Sequence, residues 1–146
     1  MAATKGASPD GNSCPVDVAT IPLAGPPGSL ALMNAPDALP GYEALLPPDT
    51  TFRNEVAARV APTIMAYRPG RAAKKIKFPI LFCISDTDSV TPPLQTLRYA
   101  RTAPRGEIKH YDAGHFAFYL GEPFEALVRD QVEFLTRQLH PAGAVV

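Results

Sequence analysis

The segment PILFCIS (residues 79–85) constrains the fold of this 146-residue chain more than any other feature. Its residues from Ile80 to Ile84 are all apolar, and turn-forming serine and aspartate follow at once. A strand with one solvent-facing side alternates polar and apolar residues, whereas a strand covered on both faces is apolar throughout. The segment therefore predicts a strand in a parallel sheet that is covered on both faces.

Three further elements follow this strand in the order helix, strand, helix. The segment 92–104 begins with proline and places apolar residues at every third position, and EIKHY (107–111) is a short second strand. The last element runs from Pro123 to about Leu139, with apolar residues at steps of three and four and a proline near its first turn. This order predicts two parallel strands in one sheet, joined by a right-handed crossover.

The first part of the chain has a different character, because more than half of its 17 prolines lie within residues 1–50. Proline removes a backbone donor and biases the preceding residue away from helix, so this part is predicted to be mostly loop. Residues 1–15 are expected to be disordered or loosely packed. The segment FRNEVAARVAPTIMAY (52–67) predicts a helix, kinked or split at Pro62, with one apolar face. That face carries Val56, Val60, Ile64 and Tyr67.

Charge and cysteine usage exclude several functional classes. The 14 basic and 14 acidic side chains cancel, which argues against a dedicated nucleic-acid-binding protein. Residues 51–77 are basic but lack interleaved aromatic residues, so we expect a solvated helix face there. Cys14 and Cys83 have no partners at metal-ligand or disulfide-framework spacing. With no signal-peptide core and no long apolar run, we expect a soluble cytoplasmic protein without metal, cofactor, nucleic-acid or membrane partner.

Polar residues that could carry chemistry follow both predicted strands. SDTDSVTP (85–92) follows the first strand and DAGHF (112–116) follows the second. The carboxyl ends of adjacent parallel strands lie side by side, so these loops should meet. A carboxylate beside a histidine orients the ring and stabilises its protonated form, which lets the histidine act as a base. The alternative, from the Gly-His dipeptide alone, is an ordinary loop histidine whose ring bonds a backbone carbonyl, and the acidic residue predicted beside His115 favours the pair.

The segment FPILFCISDTDSVTPP, followed after a helix by EIKHYDAGHF and an amphipathic helix, resembles the C-terminal third of an α/β-hydrolase. The likeness covers residues 78–139. In that superfamily the catalytic acid commonly lies in a Gly-x-x-Asp-x-x-x-Pro loop after a late strand, and the catalytic histidine follows the last strand in a Gly-His pair. The resemblance therefore implies an α/β fold with few parallel strands flanked by helices, preceded by an irregular, proline-rich third.

The resemblance also implies roles for individual residues. Ser85 takes the place of the first glycine, Asp88 that of the acid, and Pro92 that of the proline. His115 takes the place of the catalytic histidine. Asp86 remains a second choice for the acid.

Three regions result from the composition and the resemblance together. Residues 1–50 are an irregular segment with part of a lid, and residues 51–77 are a basic helical lid or connector. Residues 78–146 are the hydrolase-like βαβα unit. The lid assignment rests on a weaker likeness of the segments around residues 25–47 and 67–79 to the connection that precedes the acid loop in some bacterial hydrolases.

A hydrolase of this class also needs a nucleophile, usually in Gly-x-Ser-x-Gly on a sharp turn from strand to helix. The sequence contains no such motif. Ser8 has the first glycine of the motif but lacks the second, and Ser29 has neither. Cys14 precedes a proline, and Cys83 is expected to be an inert buried thiol.

The combination of a predicted acid and histidine with no nucleophile leads to the main functional prediction. The chain is expected to be the C-terminal fragment of a serine-type hydrolase for ester, thioester or amide bonds, and to be inactive alone. A complete enzyme of this kind needs roughly 200 or more residues. A small ester or acyl substrate is expected only when an N-terminal part completes the enzyme.

Three alternatives stay open. The first is a non-catalytic binding or dimerisation module, including a possible homodimer. The second is a haloacid-dehalogenase-type phosphohydrolase, since Asp86-Thr87-Asp88 after an apolar strand also resembles the first motif of that family, although Lys109 lies inside a strand pattern and no later acidic pair binds Mg²⁺. The third is a metal site made by His110, Asp112 and His115, which no ligand spacing supports.

Overall fold

A computed structural model describes residues 18–139, which divide into two compact units, residues 18–67 and residues 68–139. The expectations for residues 1–15 and for Ser8 and Cys14 lie outside the described residues. Within the described range, no helix is long and apolar enough to cross a membrane.

The first unit consists mostly of turns, as its prolines predict. Its elements are two short antiparallel strands and two short helices: β1 (Thr20–Ile21), α1 (Ala38–Glu43), β2 (Val56–Ala57) and α2 (Val60–Ala66). The side chain of Asn54, just before β2, binds the backbone of Ala24, donating to the Ala24 carbonyl at 2.7 Å and accepting from the Ala24 N–H at 2.9 Å.

The prediction of one amphipathic helix over residues 52–67 is wrong. Val56 lies in β2, whose pairing with β1 continues through a bond from the Ala58 N–H to the Ala19 carbonyl, 2.8 Å long. Only α2 is helical, and its Ile64 is 52% exposed. Pro62 occupies the third helical position, where backbone N–H groups have no partner within the helix, so it does not split α2.

The second unit contains the strands and helices that the hydrophobic pattern of residues 79–139 predicts. A 3₁₀ helix comes first, and the strands and helices follow in the predicted order, with a second 3₁₀ turn before the last helix. Their bounds are 3₁₀ helix Pro69–Lys75, β3 (Ile80–Ser85), α3 (Pro93–Ala100), β4 (Gly106–Tyr111), 3₁₀ helix Phe116–Tyr119 and α4 (Gly121–Leu139). The basic residues of the 68–77 region are exposed as expected, but on a 3₁₀ helix and its flanks.

β3 and β4 pair in parallel, with Ile80 opposite Gly106 and Ser85 opposite Tyr111. This confirms the predicted strand–helix–strand unit with parallel strands. The odd-numbered side chains of β4 face α4, since both Lys109 and Tyr111 bond to Asp130 of that helix. α3 packs on β3 as well. The result is a small α/β layer, part of an α/β fold.

β3 is less buried than its sequence predicts. Only Ile84 and Ser85 at its carboxyl end are buried, and residues 80–83 are half-buried. The reason is that the described sheet has two strands, so β3 has a strand neighbour on one side only.

Candidate active site

Asp88 and His115 meet at the carboxyl ends of the two parallel strands. Asp88 lies in the loop between β3 and α3, and His115 lies four residues beyond β4. The distance from His115 Nδ1 to Asp88 Oδ2 is 3.0 Å. The pair that the sequence placed on neighbouring loops is therefore in hydrogen-bond contact.

Asp88 is held by its own loop. Its Oδ1 accepts from the backbone N–H groups of Val90 (2.8 Å) and Thr91 (2.6 Å), and its Oδ2 accepts from the Thr91 hydroxyl at 2.6 Å. An aspartate that bonds the N–H groups two and three residues later is a common local turn device. Thr91 was not predicted from the sequence, although the Asp-x-x-Thr spacing is a signal for it.

These contacts determine the charge of Asp88. Its side chain is 10% exposed, and this burial by itself raises the pKa of the carboxyl. The hydrogen bonds from Thr91, His115 and Val90 act in the opposite direction and outweigh burial, so the pKa of Asp88 lies below its ordinary value. Asp88 is therefore an anion at neutral pH.

Because Asp88 is an anion, the position of the proton on the neutral His115 ring follows. A carboxylate can only accept, so Nδ1 carries the hydrogen and Nε2 carries the lone pair. The buried Phe116 ring stands nearly perpendicular to the imidazole, with centroids 4.9 Å apart, and Tyr119 lies 6.3 Å away. The His115 side chain is 24% exposed. A ring held in this way can take a proton at Nε2 and remain stabilised as a cation by Asp88.

Ser85, which stands where the related motif has glycine, links the two loops. It is buried at the end of β3, and its hydroxyl donates to the carbonyl of Ala113 in the histidine loop. The Asp86 N–H donates to the Tyr111 carbonyl at 2.9 Å, which extends the strand pairing by one residue.

Asp86 takes part in a second, separate pair. Its Oδ1 lies 2.7 Å from Nδ1 of His110, and both side chains are about half exposed. The structure therefore gives each of the two aspartates its own histidine. Asp88 faces His115 and Asp86 faces His110, so Asp86 is the less suitable acid for His115.

Another polar cluster joins β4 to α4 and was missed by the sequence analysis. The Tyr111 hydroxyl donates to Asp130 Oδ2 at 2.6 Å, and Lys109 Nζ lies 2.6 Å from Asp130 Oδ1. The bonds from Lys109 and Tyr111 lower the pKa of Asp130, while burial and the bond to Asp130 raise the pKa of Tyr111 well above its usual range. The sequence does indicate part of this cluster, because side chains of a strand alternate between its faces and Lys109 and Tyr111, two positions apart, share a face.

The phosphohydrolase and metal interpretations gain no support. Lys109, which would have to reach the acid loop, binds Asp130 on the helix face of the sheet. Asp112 is exposed. Between residues 18 and 139, no group of three or more His, Cys, Asp or Glu side chains is placed to hold a metal ion.

The sequence-derived nucleophile candidates in the described range are poorly placed. Ser29 follows Gly28 in a turn of the first unit, and its hydroxyl oxygen is buried without a hydrogen-bond partner. Cys83 is half-buried rather than fully buried. Burial raises the pKa of its thiol against the hydrogen bonds from Tyr111 and Gln131, so the reactive thiolate is disfavoured.

Comparison with known proteins gives two informative similarities, and no family model matches the sequence. The quorum-quenching protein AidA of Acinetobacter baumannii is 55% identical over 117 residues, which is 80% of this chain and 38% of that protein. The crystal structure of the Paleococcus ferrophilus monoacylglycerol lipase matches with a TM-score of 0.53 and 23% identity over 62% of this chain and 37% of the lipase.

These similarities support the expected fold over part of the chain. The lipase is an α/β-hydrolase, and the likeness to it is one of fold. The chain spans less than two-fifths of the length of either protein.

Proposed function

We propose that this chain supplies the acid and the histidine of a serine-type hydrolase, with Asp88 and His115 in these roles. The contact between Asp88 Oδ2 and His115 Nδ1, 3.0 Å long, carries the proposal. It leaves Nε2 as the basic nitrogen, which is the arrangement that a nucleophilic hydroxyl requires.

In the proposed reaction, His115 Nε2 takes the proton of a serine hydroxyl while the oxygen attacks the carbonyl carbon of an ester, thioester or amide. The negative charge of Asp88 stabilises the imidazolium that results. His115 then delivers this proton to the leaving group as the bond to the carbonyl carbon breaks. Water repeats the sequence on the acyl-enzyme and releases the acid.

The serine of this proposal lies outside the chain. The sequence has no Gly-x-Ser-x-Gly motif, and the chain spans 38% of its relative and 37% of the lipase. The name of the relative, a quorum-quenching protein, supports a quorum-sensing signal molecule as the substrate, and the proposed chemistry would act on an ester or amide bond in it. The isolated chain is expected to be inactive.

A chimera tests this function. The matched segment of the Acinetobacter relative is replaced by this chain, which the 55% identity makes feasible, and hydrolysis of p-nitrophenyl butyrate is measured. We expect an active chimera in which His115→Ala and Asp88→Asn each lower kcat/KM by about a thousandfold or more, as loss of a triad member does.

The chain provides its own matched control. His110→Ala and Asp86→Asn remove the neighbouring histidine–aspartate pair, and they should leave kcat/KM within about tenfold because that pair holds no catalytic role in the proposal. Equal losses in both pairs, or retained activity in His115→Ala, would overturn the assignment. A folded but inactive chimera would favour the alternative of a non-catalytic module.

A further inference from the structure

Ser85 is a buried polar residue at a position where the related acid-loop motif has glycine. It is the last residue of β3, lies opposite Tyr111 in the sheet, and is 5% exposed. The backbone does not call for glycine here, since positive φ angles within residues 18–139 occur at Gly28 and Gly121 alone. The hydroxyl therefore distinguishes this position from the motif, and a buried hydroxyl needs a hydrogen-bond partner.

The acceptor of this hydroxyl lies in a bend that leads to the candidate histidine. The Tyr111 carbonyl, at the end of β4, accepts from the Asp86 N–H and from the Ala113 N–H, each at 2.9 Å. A bond between residues two positions apart turns the chain tightly, so the backbone leaves the strand direction over residues 111–113. The Ala113 carbonyl that follows this bend accepts from the Ser85 hydroxyl.

One side-chain bond thus joins the two loops of the candidate site. Ser85 precedes the acid Asp88 by three residues, and the buried Ala113 precedes His115 by two. Beyond the histidine, the buried Phe116 begins the next 3₁₀ helix. The backbone of His115 is therefore held between two buried residues, and the first of them is attached to the strand that leads into the acid loop.

We propose that Ser85 is a positioning residue: through its bond to the Ala113 carbonyl it keeps the His115 ring in contact with Asp88. The part that this plays in catalysis rests on the proposed function. Without the hydroxyl, the buried Ala113 carbonyl loses this partner, and the histidine loop shifts to find another. The contact between His115 Nδ1 and Asp88 Oδ2 is 3.0 Å long, so a shift of about 1 Å breaks it, and a displacement of that size can lower a catalytic rate by about a hundredfold.

The alternative is that Ser85 is only a small residue that fits a narrow place at the end of β3. Alanine has nearly the same size and lacks the hydroxyl, so Ser85→Ala separates the two explanations. Ser85→Gly introduces the residue of the related motif and tests whether glycine serves equally well here. If the hydroxyl positions the histidine, both variants displace the ring, and Ser85→Ala keeps the test valid if Ser85→Gly fails to fold.

The position of the proton on His115 gives a readout that does not depend on catalysis. Long-range proton–nitrogen NMR spectra of the complete chain, recorded at a pH where the ring is neutral, show which ring nitrogen carries the hydrogen, and His115→Ala assigns the signals. We expect the Nδ1–H form in the unmodified chain, because Asp88 accepts from Nδ1. In both Ser85 variants this form should fall by about half or more, since the hydrogen bond that selects it is lost.

Ile84→Val is the matched control. Ile84 is the buried neighbour of Ser85 in β3, so its truncation destabilises the same strand end and leaves the hydroxyl in place. This variant should keep the Nδ1–H form.

Kinetics in the chimera with the Acinetobacter relative provide the second readout. Ser85→Ala should lower kcat by about tenfold or more with KM within about twofold, because the hydroxyl orients the base and does not contact the substrate. Ile84→Val should keep kcat within about twofold.

The outcomes separate this inference from the proposed function. A proton that stays on Nδ1 in both Ser85 variants, or that moves equally in Ile84→Val, would overturn the inference and leave the function standing. A move confined to the Ser85 variants, with a chimera that is inactive or whose kcat is unchanged, would retain the positioning role and overturn the function. A proton on Nε2 in the unmodified chain would overturn both.

Discussion

Asp88 combines burial with four hydrogen bonds, and its pH behaviour should reveal this combination. The pKa of Asp88 is lowered in the folded chain, so its ionisation stabilises the fold above the pKa of the unfolded state, and this contribution is lost as the pH falls through the folded pKa. We expect Asp88→Asn to make the fall in unfolding free energy between pH 6 and pH 3 shallower.

Urea unfolding at a series of pH values measures this effect. Asp112→Asn is the matched control, because Asp112 is an exposed carboxylate in the neighbouring loop. Parallel pH profiles for Asp88→Asn and the unmodified chain would contradict the hydrogen-bonded anion described here.

Thr91 is a positioning residue for Asp88. Thr91→Val removes the hydroxyl that donates to Asp88 Oδ2, and a net loss of about 1 kcal/mol in unfolding free energy is expected for one hydrogen bond to a partly exposed charge. Thr96→Val, at an exposed position in α3, should cost much less. Urea unfolding of the two variants measures these losses of unfolding free energy, and equal losses would refute a special role for Thr91.

The residues of the site were predictable to different degrees. Asp88 and His115 follow from local motifs after recognisable strands, and the structure brings them together. Thr91 has a local signal in its spacing from Asp88. Asp130 has none, because its contact with Tyr111 depends on how α4 is rotated over the sheet, and that is a property of packing.

Among the elements, those whose signal is local were predicted correctly. The apolar run of β3 and the helical spacing of α4 are long enough to be unambiguous, and β4 was predicted as a short strand after the intervening helix. Residues 52–67 were predicted wrongly. Val56 and Val60 have helical spacing, but the start of the segment pairs with residues 19–21 and forms a strand. A contact with residues some 35 positions away is not visible in local periodicity.

The Tyr111 hydroxyl makes one of the polar contacts that join β4 to α4. Tyr111→Phe keeps the ring, which packs edge-on against Phe118 at 5.3 Å, and deletes the bond to Asp130 together with the longer contact to Cys83 Sγ at 3.8 Å. The expected loss of unfolding free energy is about 1 kcal/mol. Tyr119→Phe, at a mostly exposed ring, is the control and should be neutral in the same chemical denaturation experiment. A neutral Tyr111→Phe would show that the ion pair of Lys109 with Asp130 and the packing of the ring hold α4 without the hydroxyl.

At the scale of the whole molecule, the buried residues are small. Most of the buried apolar residues in the described range are alanines, and the larger ones are Ile84, Phe116 and Phe134. Apolar burial contributes about 25 cal/mol per Å², so cores built from small residues stabilise a chain only weakly.

The small core and the side of β3 that has no strand neighbour predict a low melting temperature for the chain alone. The part of the relative that lies outside the match should raise this melting temperature by mass action. Differential scanning fluorimetry with and without that part measures the shift, and an unchanged melting temperature would contradict the prediction.

In the proposed function, Asp88 and His115 serve a nucleophile that lies outside this chain. Labelling with a fluorophosphonate, followed by mass spectrometric mapping of the modified serine, tests it most directly. We expect no labelled serine in the isolated chain. In the chimera we expect a single labelled serine outside this chain's sequence, whose labelling is lost in His115→Ala and kept in His110→Ala. A labelled serine within the 146 residues would show that the nucleophile lies in this chain and would refute the proposal.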